Sequence, residues 1–573
     1  MSMTPFMSSL ARRFTPADVL SREGLARTAP VAVFHLAALA VMVWSEEGPI
    51  RMAAFLLVWG MLNFFWLALL RRPALSAALS FSVLATLVIV SRFKFKVLWM
   101  TASFVDVMVI DSDTFAFLWQ VFPNVRTALI LAALLAAPVG VLLWWIDPFR
   151  VRLRAAAAGA VACLVGLTGL SLAYPVHPGE AFGDGNYISA FARSGVDAVS
   201  GYMGSGFLES DALAAGPLRL GMEESCAPMA RRPHIILLHD ESSYDIRMVD
   251  GVKVPPNYGR HFVSFDGKDR RFLVEGAGGP SWYTEYNVLA GLSSRSYGHF
   301  QFFVTRIAAG RVARGLPNAL KRCGYRTFSI YPAYGSFLGA RSFYKGTGVE
   351  NFLDGKDIGS GVFEPDRFYF DVATRMIDRQ RDGGPMFLHL YLTANHFPYD
   401  YPFRPDLTPA QWRSPGNAMP EVNEYLRRQA MTERDYTAFL ARLKRDFPSE
   451  PFLIVRFGDH QPDFGKLIVD PKIDGLELGR RLMSYDPRYY TTYYAIDAIN
   501  FRPVNLSSAL DTLDAPYLPL VVQEAAGLPL DASFAEQKRI LKRCNGLFYG
   551  CANGAEARRF NRLLIDAGLI KGL

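Results

Sequence analysis

The hydrophobic pattern changes character about one third of the way along the chain. Before that point, continuous apolar runs near residues 30–45, 52–70, 74–91, 126–145 and 155–174 each approach the roughly 20 residues that cross a bilayer as a helix. They predict five membrane spans. After it, amphipathic and apolar segments alternate: LPNALKRCGY runs into RTFSIYP, DRFYFDVATRMIDRQ into GPMFLHLYLT, and RDYTAFLARLKRDF into EPFLIVRFGDH. Helix then strand, repeated, predicts βαβ units around a mostly parallel sheet whose carboxyl ends build a site. The division is a five-helix transmembrane domain over 1–174, a juxtamembrane linker over 175–230, an α/β catalytic domain over 231–530 and a helical tail over 531–573. Within the linker, ISAFARSGVDAVSGYM is amphipathic and suits a bilayer surface.

Composition follows this division. The chain has 573 residues, 51% of them hydrophobic, and a mean hydropathy of +0.13, an average over a greasy first region and an ordinary globular second one. The net charge of +8 is explained largely by arginines beside the spans: Arg12, Arg13, Arg22 and Arg27 before the first, Arg71 and Arg72 after the second, Arg150, Arg152 and Arg154 after the fourth. These place the amino end and the following short loops in the cytoplasm, and an odd number of spans then puts everything after about residue 175 outside it. Arg92, Lys94 and Lys96 depart from that rule and lead into VLWMTASFVDVMVIDSDTFAFLWQVF, which reads as an interfacial segment. The first apolar run starts too late for a cleaved signal peptide. No basic cluster interleaved with aromatics points to nucleic acid. Cys226, Cys323, Cys544 and Cys551 form an even set on the exported side, which predicts disulfides Cys544–Cys551 and Cys226–Cys323.

Candidate chemistry sits where strands stop. HIILLHDES (His234 to Ser242) ends at Glu241, and FLIVRFGDHQPDFG (Phe452 to Gly465) stops at Asp459 and His460. A buried carboxylate at a strand end needs a cation, water or a donor, and a carboxylate beside an imidazole offers one hard oxygen and one nitrogen to a divalent ion. His239 and Asp240 compete with Glu241 as ligand, because neighbours on a strand face opposite ways. Between the two strands, GGPSWYTEYNVLAGL (Gly278 to Leu292) places Ser281 at the start of a predicted helix, where an N-cap role competes with that of a nucleophile near backbone donors. Thr284, one turn on, is the rival nucleophile.

Glu241 after the first strand, a hydroxyl residue four positions before Glu285, FGDH at Phe457 to His460, and spans before an exported domain together resemble the lipoteichoic acid synthase and phosphoglycerol or phosphoethanolamine transferase branch of the sulfatase and alkaline phosphatase superfamily. The resemblance implies one divalent ion, manganese or zinc, held by Glu241, Ser281, Asp459 and His460. Ser281 stands where that branch usually has threonine. The resemblance further implies that His396, in TANHFPY, contacts the substrate phosphate or protonates the leaving oxygen, and that Arg341, in ARSFYKG, binds substrate phosphate, its match being offset by a residue. The implied protein is an enzyme of the bacterial inner membrane with a periplasmic catalytic domain. It would move a phospholipid headgroup phosphate through a covalent Ser281 intermediate to a glycan or other periplasmic acceptor. A phosphoester or sulfoester hydrolase of the same superfamily and a non-catalytic membrane-anchored scaffold are the alternatives. A sulfatase proper is disfavoured, since Cys226-Ala227-Pro228-Met229-Ala230 lacks the arginine of the C/S-x-P-x-R pattern and precedes the first strand.

Overall fold

The computed structural model describes residues 22–98, 100–108, 110, 119, 123–147, 149–174, 184–211, 218, 226, 232–361, 363–405 and 407–572. Arg12, Arg13, His177, half of the proposed interfacial segment and much of the 175–230 linker lie outside the described residues. The chain divides into two compact units, residues 1–108 with 118–200, and residues 109–117 with 201–573.

The first unit is helical. Helices α1 (Arg22–Ser45), α2 (Pro49–Leu70), α3 (Pro73–Leu98), α4 (Pro123–Ile146) and α5 (Leu153–Ala173) stand where the five apolar runs predict them. Among the described residues, α1, α2, α3 and α5 are long and apolar enough to cross a membrane, whereas the apolar part of α4 is the shorter Ile130–Ile146. Four helices among the described residues thus qualify as candidate spans, with α4 a shorter apolar helix beside them. Small residues let α2 and α5 approach closely: a Cβ on Gly159 would lie 2.8 Å from the Phe64 ring, and one on Gly60 2.9 Å from Cys163 Sγ. The amphipathic stretch forms helix α6 (Tyr187–Ser205). Its first turn is held by the buried Glu46 carboxylate, which accepts from the Ile188 and Ser189 amides.

The second unit is built on one eight-stranded sheet of order β4-β3-β5-β1-β6-β7-β2-β8. Its strands are β1 (His234–Asp240), β2 (Arg271–Leu273), β3 (Arg326–Ile330), β4 (Asn351–Leu353), β5 (Met386–Leu392), β6 (Phe452–Gly458), β7 (Thr491–Ile499) and β8 (Thr512–Asp514). The five strands from β4 to β6 run parallel, and β7 reverses against β6. Strands β1, β5 and β6 are buried along their whole length, which is why they read as continuous rather than alternating apolar runs. Helices α10 (Asp366–Gln380) and α11 (Pro420–Asp446) cover one face through Tyr369, Phe370, Phe439 and Leu443. Asp240 pairs in register with both Gly458 and Leu392, so the ends of β1, β6 and β5 lie side by side.

The tail folds back onto this unit. Helices α13 (Ala532–Arg543) and α14 (Ala555–Asp566) flank a loop closed by Cys544–Cys551, and a second disulfide joins Cys226 to Cys323, as the cysteine count predicts. Gln537 of α13 donates to the Gly291 carbonyl that ends helix α7 (Ser281–Ala290).

Candidate active site

Glu241 directly follows β1, and the alternation of the strand decides which of its neighbours joins it. Glu241 and His239 face one side, where the His239 ring stacks on Tyr391 of β5 at 3.8 Å. Asp240 faces the other side, where its carboxylate accepts from Tyr493 at 2.6 Å and meets His261 Nε2 at 2.8 Å. Asp240 is thereby removed from the candidate ligands, and His239 is added to them.

The turn after β6 delivers Asp459 and His460. Gly458 is required there: a Cβ would lie 1.7 Å from the Ser243 carbonyl oxygen, because the chain leaving β1 crosses directly over it. Asp459 Oδ2 lies 2.9 Å from His239 Nε2, while Oδ1 accepts from the Ser242 amide at 2.7 Å. Ser242 sits at φ 51°, an unfavourable conformation for a serine. That conformation lets its amide bind Asp459 while its hydroxyl donates to Glu241 Oε1 at 2.8 Å. His460 Nε2 stands 3.3 Å from Glu241 Oε1 and 3.5 Å from Asp459 Oδ2, its other nitrogen being held by the Gln461 carbonyl.

Ser281 is the first residue of α7, with Pro280 in the capping position. The expectation of an N-cap role is corrected here: its hydroxyl donates to Glu241 Oε2 at 3.1 Å and lies 3.2 Å from His460 Nε2. Thr284 points to a different partner. Its buried hydroxyl donates to the Asp459 carbonyl oxygen at 2.7 Å, which ties α7 to the end of β6. The sequence reading missed Tyr391, whose hydroxyl donates to Glu241 Oε2 at 2.6 Å. Its position at a strand end just before His396 was visible, but nothing in its residue type distinguishes it from core.

His239, Glu241 and Asp459 offer ligand atoms all within 4.8 Å of one another, and His460 and Ser281 border the same space. Two buried carboxylates with imidazoles as their cationic neighbours suit a divalent ion, and mixed oxygen and nitrogen donors suit manganese or zinc. The same groups also shift one another's protonation. Burial drives the Glu241 pKa upward, but the His460 hydrogen bond and charge, the His396 charge and the Tyr391 hydrogen bond hold it well below the ordinary carboxylate value. Burial opposes a charged His460, yet the Asp459 charge and the Glu241 hydrogen bond push its pKa up to about 9.

His396 lies four residues beyond the end of β5, stacked between Phe363 at 3.9 Å and Phe397 at 4.5 Å. Its Nδ1 donates to the Phe397 carbonyl at 2.7 Å, which leaves Nε2 for other work. Burial lowers its pKa against the pull of the Glu241 and Asp459 charges. Arg341 is engaged elsewhere: Nη2 lies 2.5 Å from Asp354 Oδ2, and Nη1 donates to the Phe352 carbonyl. Of the other described histidines, His234 bridges the Met386 amide and Glu450 at the opposite end of the sheet, and His299 is exposed.

With this geometry in place, comparison with known proteins defines the class. Residues 281–493, which lie within the second unit, match the Sulfatase family model. The superfamily named from the strand-end motifs is borne out. Similar solved structures include the lipoteichoic acid synthase LtaP from Listeria monocytogenes, at 16% identity and a TM-score of 0.39 over 53% of this chain and 74% of that one. The phosphoglycerol transferase GacH of Streptococcus pyogenes gives 15% identity and a TM-score of 0.44 over 60% and 88%. The membrane-integral lipooligosaccharide phosphoethanolamine transferase EptA of Neisseria meningitidis gives 13% and 0.39 over 82% and 95%. No curated protein matches the chain significantly.

Proposed function

We propose that the protein is a membrane-bound, metal-dependent transferase that moves phosphoglycerol or phosphoethanolamine from a phospholipid to a glycan or other acceptor hydroxyl outside the cytoplasm. The observation that carries this reading is the position of Ser281 Oγ, between Glu241 Oε2 and His460 Nε2 at the amino end of a buried helix. A divalent ion held by Glu241, Asp459 and His460, with His239 as a further donor, would lower the pKa of a bound hydroxyl and offset charge on the phosphoryl group. Ser281 Oγ attacks the phosphorus of the donor, and its proton leaves to a neighbouring base. The bond from phosphorus to the diacylglycerol oxygen breaks, and that oxygen takes a proton as diacylglycerol departs. An acceptor hydroxyl then attacks the phosphoseryl group, loses its proton, and releases Ser281. Helix α7 directs its positive end at the reacting anion, and His396 Nε2 is placed to contact the phosphoryl oxygens or the leaving oxygen.

Transfer is favoured over hydrolysis by the apolar helices of the first unit, because a chain anchored in a bilayer shares that surface with a lipid donor. Five spans with the amino end inside remain the topology proposed, α4 being the fifth. The test is peptide mass spectrometry of wild type and Ser281→Ala after incubation with phosphatidylglycerol or phosphatidylethanolamine liposomes and manganese or zinc. A headgroup phosphate on Ser281, absent from the variant, supports the reading, and its mass names the donor. Free headgroup without transfer to any hydroxyl favours the hydrolase. Bound ion without adduct or turnover favours the scaffold.

A further inference from the structure

The segment that carries His396 is irregular, yet it is gripped at nearly every residue. Asp366 accepts from the Ala394 amide at 3.1 Å and from Thr432 at 2.6 Å, and Tyr399 bonds the Asn395 carbonyl. The strongest hold comes from Arg428 on α11, a fully buried arginine with 0% of its side chain exposed. Its Nη1 donates to the His396 carbonyl at 2.6 Å, and its Nη2 to the Pro398 carbonyl at 2.7 Å and the Tyr401 carbonyl at 3.2 Å. Its Nε donates to Glu424 at 2.7 Å, and the same carboxylate accepts from the Phe403 amide. The guanidinium also lies 4.9 Å from the centre of the Tyr399 ring.

A buried guanidinium is costly unless every donor is satisfied, and here its donors are directed at one loop and one acid. Glu424 answers the charge. It does not explain three backbone carbonyls drawn from His396 to Tyr401, the first of them on the residue that faces the Ser281 cluster. Nothing in holding α11 to the sheet requires that choice of partners, which fixes the path of the loop on either side of the imidazole.

We infer that Arg428 is a positioning residue that sets His396 against the substrate phosphoryl group by clamping the carbonyls of His396, Pro398 and Tyr401. This rests on the transferase reading. Lysine preserves the charge opposite Glu424 but lacks the planar fork that serves three carbonyls and a carboxylate together. Displacement of a reacting group by an ångström is enough to slow catalysis on the order of 100-fold.

The test is a double-mutant comparison of Arg428→Lys and His396→Ala in the full chain, loaded with manganese. Turnover is read with phosphatidylglycerol vesicles and with the soluble diester bis-para-nitrophenyl phosphate. Arg428→Lys is expected to lower kcat roughly 10-fold to 100-fold with bound ion and KM little changed, and to lower it no further in the His396→Ala background. An equal loss in both backgrounds overturns the inference, since Arg428 would then act without His396. Hydrogen exchange of the 394–401 amides supplies a readout that needs no turnover. Arg428→Lys is expected to speed it while the thermal midpoint holds, and unchanged exchange overturns the clamp. Absence of turnover in the wild type on both substrates would count against the transferase reading alone, leaving the exchange result to decide the clamp. Arg428→Met, if it folds, is expected to exceed Arg428→Lys in both effects.

Discussion

Two clusters of the same residue types lie back to back across the end of β1, and they differ in charge balance. On one face Asp240 meets His261 and Tyr493, and the neighbouring Arg456 pairs with Asp497 at 3.0 Å while donating to the His261 carbonyl. On the other, Glu241 and Asp459 are buried together with His239, His460 and Ser281, and no arginine or lysine contacts them among the described contacts. Acid, imidazole and hydroxyl alone therefore do not make a site. A fixed guanidinium stands beside the acids of the first cluster, whereas the second leaves two carboxylates with imidazoles as their nearest basic groups. A divalent ion bound at the second cluster would fill that deficit.

The comparison is broken most directly by exchanging acids across it. Asp459→Asn is expected to lose the ion, with affinity falling more than about 100-fold and turnover lost with it, by metal analysis and the liposome assay. Asp240→Asn is expected to keep the ion at wild-type stoichiometry. If it releases the ion as Asp459→Asn does, the two clusters act as one and the charge argument fails. Chelation sharpens the same contrast: removing the ion should lower the thermal midpoint of the wild type and of Asp240→Asn, but leave that of Asp459→Asn unchanged. Asp240→Asn should instead show its effect in stability, a loss of about 1–3 kcal/mol in thermal unfolding from a disturbed buried network.

Smaller effects are expected away from both clusters. Burial raises the Asp514 pKa to about 7, against the Phe548 amide that donates to it. The unfolded carboxyl titrates near pH 3.9. The folded form thus retains its proton longer, and this contribution to stability is full below about pH 4 and lost as pH rises through about 7. Asp514→Asn should therefore gain stability relative to the wild type as pH rises across that window, and a constant difference between the two would contradict the assignment. Arg341→Ala should change stability by less than about 1 kcal/mol, because its bond to Asp354 is partly exposed. A large loss of turnover in that variant would return Arg341 to the substrate-binding set.

Much of this architecture was legible in the chain itself. Apolar runs bounded by arginines marked the helices, and helix-then-strand alternation marked the parallel strands, because both signals come from local periodicity. Glu241, Asp459 and His460 were legible for a related reason: a charged residue that stops a buried strand has few inexpensive explanations. At α4 an apolar window marks the helix but not where the apolar stretch ends within it.

What the tertiary structure alone decided were matters of direction and partnership. The choice between Asp240 and His239 depended on which face of β1 the turn after β6 covered, and a strand's alternation fixes that only relatively. Ser281 and Thr284 carry the same hydroxyl chemistry, but one reaches Glu241 and the other the Asp459 carbonyl, a difference set by how α7 docks. Tyr391 and Arg428 were silent in the sequence because an aromatic at a strand end and an arginine on a helix have common structural uses. Their roles arise from partners 150 and 32 residues away along the chain, which only the packed sheet and α11 bring within hydrogen-bonding distance.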